Sequence, residues 1–178
     1  MTGMRIATCS IEALPSAVLD WGPQAIVSAF SPRHPVGGYF DRPHLLLPCR
    51  DTEDGAWADA PGRAHLAALL DLLDDVRPHR ILVQCTAGLS RSPALALVAA
   101  AWSGRDPAEA CAAMRRAVPQ ASPNLLMLAW GDALLGLGGT LDAAAAAAFE
   151  FRRDDLGAVG DRTGFRELGP QTIPRALA

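Results

Sequence analysis

Residues 80–102 read RILVQCTAGLSRSPALALVAAAW, and the fold follows from the change of rhythm inside this stretch. Arg80 to Gln84 is the most strand-like run in the chain, and Pro93 to Trp102 the most helix-like. Between them Cys85-Thr86-Ala87-Gly88-Leu89-Ser90-Arg91-Ser92 must turn tightly, with Gly88 supplying a position where the backbone can take positive φ or approach a ligand closely. A chain that turns sharply at a strand end points successive amides inward. The helix that follows adds its own unpaired N–H groups and the positive end of its dipole. Strand, glycine turn and helix in this order form a trap for an anion.

The elements on either side repeat the alternation. Arg5 to Thr8 and Ala25 to Phe30 are short apolar runs bounded by turn formers, with helical spacing from Ser10 to Trp21 between them. Ser31 to His44 (SPRHPVGGYFDRPH) packs three prolines and two glycines into a loop with Tyr39 and Phe40 near its tip, and Leu45 to Pro48 follows as a buried strand. Asp51 to Gly62 is polar and turn-rich. From Arg63 the leucines at 66, 69, 70 and 73 fall on one stripe of a helix that ends before Pro78. Asp106-Pro107-Ala108-Glu109 is a helix start, with Asp106 as cap and Pro107 at the first helical position, and helices are expected over 107–117, 124–136 and 140–151. Strands alternating with helices, then helices alone, predict an α/β fold: a mainly parallel central sheet flanked by helices on both faces. One domain is expected over 1–151. The tail 152–178 mixes glycines, prolines and charges without periodicity and is expected to be loosely packed or disordered.

Composition narrows the chemistry. With 178 residues, half of them apolar, the chain can bury one substantial core. A net charge of −3 offers no broad basic field, so no nucleic-acid partner is expected. All sixteen basic residues are arginine. The missing lysines exclude a Schiff-base lysine and the lysine-bearing phosphate loop of the Walker type, so any phosphate site must use backbone amides and arginine. Cys9, Cys49, Cys85 and Cys111 stand far apart without zinc spacing, and neither metal nor cofactor is expected. The longest apolar run, Pro93 to Trp102, is too short to cross a bilayer, and the start lacks the apolar core of a signal peptide. No membrane partner is expected, and the location anticipated is a reducing cytoplasm where thiols stay free.

Within the turn, the amides of Thr86, Ala87, Gly88, Leu89 and Ser90 can ring a dianion while Arg91 holds two of its oxygens through the guanidinium fork. Cys85 sits at the bottom of that ring, where the same field favours a thiolate nucleophile. Cysteine, five residues, arginine and then serine or threonine is the signature that this stretch resembles, that of the cysteine-dependent protein tyrosine phosphatase superfamily. The surrounding residues are most similar to the dual-specificity branch and to small bacterial proteins predicted to be tyrosine phosphatases. The resemblance covers roughly Leu45 to Leu135 and includes Ala-Gly-x-Ser-Arg-Ser-Pro and a later Ser122-Pro123-Asn124.

What the resemblance implies is a phosphatase that hydrolyses phosphate monoesters through a phosphocysteine intermediate, acting on phosphotyrosine, other phosphoprotein or a small phosphate monoester. Cys85 would be the nucleophile, Arg91 the clamp on the equatorial oxygens, and Ser92 the group that assists the thiolate as it leaves. An aspartate in a loop before the cysteine would protonate the departing oxygen. Asp51 and Asp54 are both candidates. Asp51 is preferred because it lies close to the end of the strand Leu45 to Pro48, Glu53 is a weaker third, and all three also read as ordinary loop carboxylates. The chain departs from the family at Gln84, where histidine is usual, which puts efficiency in question. A phosphoprotein-binding module without turnover and a rhodanese-like sulfurtransferase are the alternatives.

Other features carry plainer explanations. Cys49 could approach Cys85 to form a protective disulfide, but Cys9, Cys49 and Cys111 read first as small buried hydrophobes. His34, His44, His65 and His79 have no ligand spacing and read as surface or rim residues. Arg33, His34, Tyr39 and Phe40 could form a wall of the pocket.

Overall fold

A computed structural model describes residues 3–39, 41–149 and 166–168. Its elements run β1 (Arg5–Ser10), α1 (Leu14–Trp21), β2 (Ala25–Phe30), β3 (His44–Pro48), α2 (Arg63–Val76), β4 (Arg80–Cys85), α3 (Arg91–Trp102), α4 (Pro107–Ala117), α5 (Leu125–Leu135), α6 (Thr140–Ala148) and β5 (Arg166–Glu167). The strands form one sheet of order β3-β2-β4-β1-β5. The first four strands are parallel, and β5 runs antiparallel to β1. The expected sheet, mainly parallel and flanked by helices, is the observed one.

Register decides where a site can form. Arg5 stands opposite Arg80 and Ser10 opposite Cys85, so β1 and β4 end level, and the loops after them open on one edge of the sheet. The crevice beyond the carboxyl ends of parallel strands is where open α/β sheets bind ligands. Strand alternation sends Ile81, Val83 and Cys85 to one face with Ile6, Val27 and Leu47, under the helices α2 to α6. Leu82 faces the other way with Ala7, Cys9 and Ile26, under α1. Near-continuous apolar strands are what a sheet covered on both faces requires.

α3 is buried from Arg91 to Ala100, consistent with a helix that is apolar all round. It packs on β1 and β4 and against α2, α4 and α5. α5 lies close against α3 at Gly131, where an added Cβ would collide with Val98. No helix among the described residues is long and apolar enough to cross a membrane.

Most boundaries fall within two residues of the sequence expectation, and the larger differences lie at the start of α1, the end of α6 and the tail. Ser10 closes β1 rather than opening α1, which begins at Leu14 with Pro15 in its first turn. α6 ends at Ala148, and residues 150 and 151 of the expected helix lie outside the described residues. Of the tail, 152–165 and 169–178 lie outside them as well, whereas Arg166–Glu167 adds a strand that sequence rhythm did not reveal. That strand is tied down by the Arg5 guanidinium, which donates to both Glu167 oxygens at 2.6 and 2.9 Å. Trp21 Nε1 adds a third donor at 3.3 Å.

Candidate active site

Cys85 ends β4 and is 1 % exposed, at the base of the turn whose Gly88 has φ 76. The glycine is required there, because an L side chain at that φ is strained. Thr86 O accepts from Ile11 N at 3.2 Å, which fastens the start of the turn to the end of β1. On the far side Leu89 O accepts from Ser122 N at 2.9 Å and Ser90 O from Asn124 N at 3.3 Å. The loop is thus held on both flanks.

Ser90 is the N-cap of α3, yet its hydroxyl does not cap the helix. It donates instead to Asp51 Oδ1 at 2.7 Å, leaving the helix dipole aimed at whatever occupies the turn. Ser92, in the first turn of α3, places Oγ 3.2 Å from Cys85 Sγ.

Arg91 opens α3 and is 4 % exposed. Its Nη1 donates to Cys49 O at 2.8 Å and Nη2 to Thr86 Oγ1 at 3.0 Å, while Nε lies 3.5 Å from Asp51 Oδ2, near enough for attraction without an aligned hydrogen bond. A guanidinium has five N–H donors, so those two bonds fix the fork and leave donors for an anion. Asn124 is the counterpart on α5. Its Oδ1 caps the helix by accepting from Met127 N at 3.0 Å, and its Nδ2 donates to Asp51 Oδ1 at 3.2 Å and Thr52 O at 3.0 Å.

Cys85, Ser92, Arg91, Ser90 and Asp51 therefore converge. Asp54 does not join them: its carboxylate accepts from Ala56 N at 2.9 Å in a local turn. Glu53 accepts from Leu125 N at 3.2 Å and fastens the Asp51 loop to α5. Sequence reasoning noted Asn124 but assigned it no contact. Its cap was legible as a small amide before a leucine-rich helix, whereas the reach of its NH2 to Asp51 joins residues far apart in the chain.

Gln84 is fully buried, and neither end of its amide bonds to any described residue. An unpaired buried amide costs about 1–3 kcal/mol. By alternation it points to the α1 side, opposite to Cys85, in register with Cys9 and Ser28. Its influence on the sulfur therefore passes through the strand rather than through direct contact.

The other cysteines fit the role of small hydrophobes. Burial pushes Cys9 up to about 12, Cys49 to about 11 and Cys111 to about 12. All four thiols are free. Cys49 and Cys85 are both buried in the same apolar cluster, and the Cys49 carbonyl accepts from Arg91, so Cys49 is a neighbour of the turn.

His44 is not a simple rim residue. Its Nδ1 accepts from Tyr39 N at 2.9 Å and its Nε2 lies 2.9 Å from Ser28 Oγ, which fixes the neutral ring with the proton on Nε2, and burial lowers its pKa. Tyr39 packs on the apolar cluster under α1, and Phe40 lies outside the described residues.

No family model matches the chain. No curated protein matches it in sequence. Solved structures do match in shape. DUSP15 superposes with a TM-score of 0.60 at 16 % identity, covering 85 % of this chain and 94 % of that one. The Yvh1 phosphatase domain from Chaetomium thermophilum gives 0.55 at 19 %, over 80 % and 99 %. Human DUSP28 gives 0.53 at 21 %, over 73 % and 92 %. At these identities the likeness is one of fold, and the fold is the protein tyrosine phosphatase-like one that the resemblance over Leu45 to Leu135 implied.

Proposed function

We infer that the chain is a cysteine-dependent phosphatase acting on phosphate monoesters. The observation that carries this is the approach of Asp51, from the loop after β3, to the turn that runs from Cys85 to Arg91, with Asp51 Oδ2 3.5 Å from Arg91 Nε. The amides of Thr86 to Ser90 and the Arg91 fork bind the phosphate oxygens. Cys85 Sγ attacks phosphorus, the P–O ester bond breaks, and Asp51 gives the leaving oxygen its proton. Water then attacks the phosphocysteine, Asp51 takes its proton, and phosphate leaves as the S–P bond breaks. Ser92 Oγ, 3.2 Å from the sulfur, donates to the emerging thiolate. No cofactor enters this sequence. The substrates fitting it are phosphotyrosine or other phosphoprotein, or a small phosphate monoester, in a cytoplasmic setting.

Release of phosphate from an aryl phosphate tests the assignment. Cys85→Ser is expected to abolish turnover, and Asp51→Ala to lower kcat by about 10²–10⁴ with binding retained. An unchanged rate in Cys85→Ser would refute it. A phosphoprotein-binding module without turnover is the alternative, favoured by the uncharged Gln84 behind the sulfur. Vanadate-sensitive hydrolysis separates the two, because a binder holds the anion and releases nothing.

A further inference from the structure

Among the described residues three large apolar side chains are exposed: Leu19 at 82 %, Trp57 at 51 % and Leu46 at 39 %. Leu19 belongs to α1 and Leu46 to the edge strand β3, whereas Trp57 lies on the loop that begins with Asp51. An indole half in water on a polar loop adds little to the core, yet this one is held firmly. The Arg50 guanidinium carbon sits 4.3 Å from its ring centroid, and Arg50 Nε is fixed 2.9 Å from Asp59 Oδ1. Backbone bonds close the loop around it: Arg50 N to Asp59 O at 2.7 Å, Trp57 N to Asp54 O at 3.4 Å and Ala60 N to Trp57 O at 3.0 Å. The base of the loop is tied to α5 through Thr52 O and Glu53.

The stack begins at Arg50, between Cys49, whose carbonyl orients Arg91, and Asp51. It therefore stands beside the phosphate turn rather than in it. A group on this rim meets the part of a substrate that lies beyond the ester oxygen. A small monoester has nothing there, while a polypeptide continues on both sides of its phosphorylated residue. Aromatic and arginine side chains supply most of the affinity in protein recognition, and a side chain already fixed loses little freedom on binding. The loop itself carries Asp51, Glu53, Asp54 and Asp59, and Arg50 and Arg33 both face Asp59, so neutral or basic residues next to the phosphate suit it better than acidic ones.

We propose that Trp57, backed by Arg50, is a specificity-determining residue that binds the polypeptide flanking the phosphorylated residue, so that the substrate is a phosphoprotein. The proposal rests on the phosphatase assignment above. It is tested on the full chain by comparing kcat/KM for a phosphotyrosyl peptide without acidic flanking residues with that for free phosphotyrosine, which share one leaving group. Trp57→Ala should lower the peptide-to-amino-acid ratio by about tenfold, and Trp57→Phe should restore most of it. An unchanged ratio, including an equal fall on both substrates, overturns the proposal while leaving the phosphatase assignment standing. Should the unaltered protein hydrolyse neither, the phosphatase assignment fails, and calorimetric titration with the same peptide decides the subsite. Weaker binding by Trp57→Ala then upholds it, and equal or absent binding overturns it.

Discussion

Asp51 shows how much a single side chain depends on neighbours that are remote in sequence. Its Oδ1 accepts from Ser90 and Asn124, and its Oδ2 faces Arg91. Asn124 serves two masters, since one end of its amide caps α5 and the other holds the carboxylate. Replacing it by aspartate keeps the cap and sets a second carboxylate against the first, so Asn124→Asp should keep its unfolding temperature near that of the parent while kcat falls. Asn124→Ala should lose both, with about 1 kcal/mol of stability removed with the cap. Thermal unfolding and aryl phosphate kinetics on the two variants check this, and a normal kcat in Asn124→Asp would show that Asp51 needs no such holder. Cys85 and Arg91 were legible from the anion-trapping turn, and Ser92 through the family resemblance, because one short stretch carries all three. The preference for Asp51 over Asp54 rested on closeness to a strand end. The structure brings Asp51 to the turn and leaves Asp54 in a local one. Its partnership with Asn124 was illegible, because a contact across such a separation leaves no periodic trace.

Most elements were legible because each has a strong local rhythm bounded by a chemical stop. β4 and α3 differ in period, Asp106 and Pro107 announce α4, and Asn124 announces α5. Failure came where rhythm is absent, as in β5, whose two residues are strand only because β1 offers its backbone. Packing distances between helices are equally silent in sequence. Gly131 lets α5 approach α3 at Val98, the helix whose first turn carries Arg91 and Ser92. Gly131→Ala should therefore destabilise by about 1–3 kcal/mol through overpacking, despite the better helix propensity of alanine. A denaturant melt showing equal or greater stability would mean that the helices part without cost.

Across the whole molecule the sheet links the site to a distant clamp: β5 holds β1, and β1 ends level with β4 at Cys85. Glu167 is held below its ordinary value of 4.5, first by the hydrogen bond from Arg5. A carboxylate depressed in the folded state contributes stability that is complete above that ordinary value and is lost as pH falls through the folded one. The unfolding temperature of Glu167→Gln should thus lie below that of the parent at pH 7, and the gap should close as pH falls below 4.5. A gap that stayed constant down to pH 3 would remove charge from the explanation. The same short strand has a consequence for handling the protein. It occupies the backbone of Ala7 and Thr8, and Leu168 N bonds to Ile6 O. A chain cut before Arg166 would leave those groups as an open edge, a template for a second copy. Clouding in concentrated solution, sooner than any loss of turnover, would betray the missing piece.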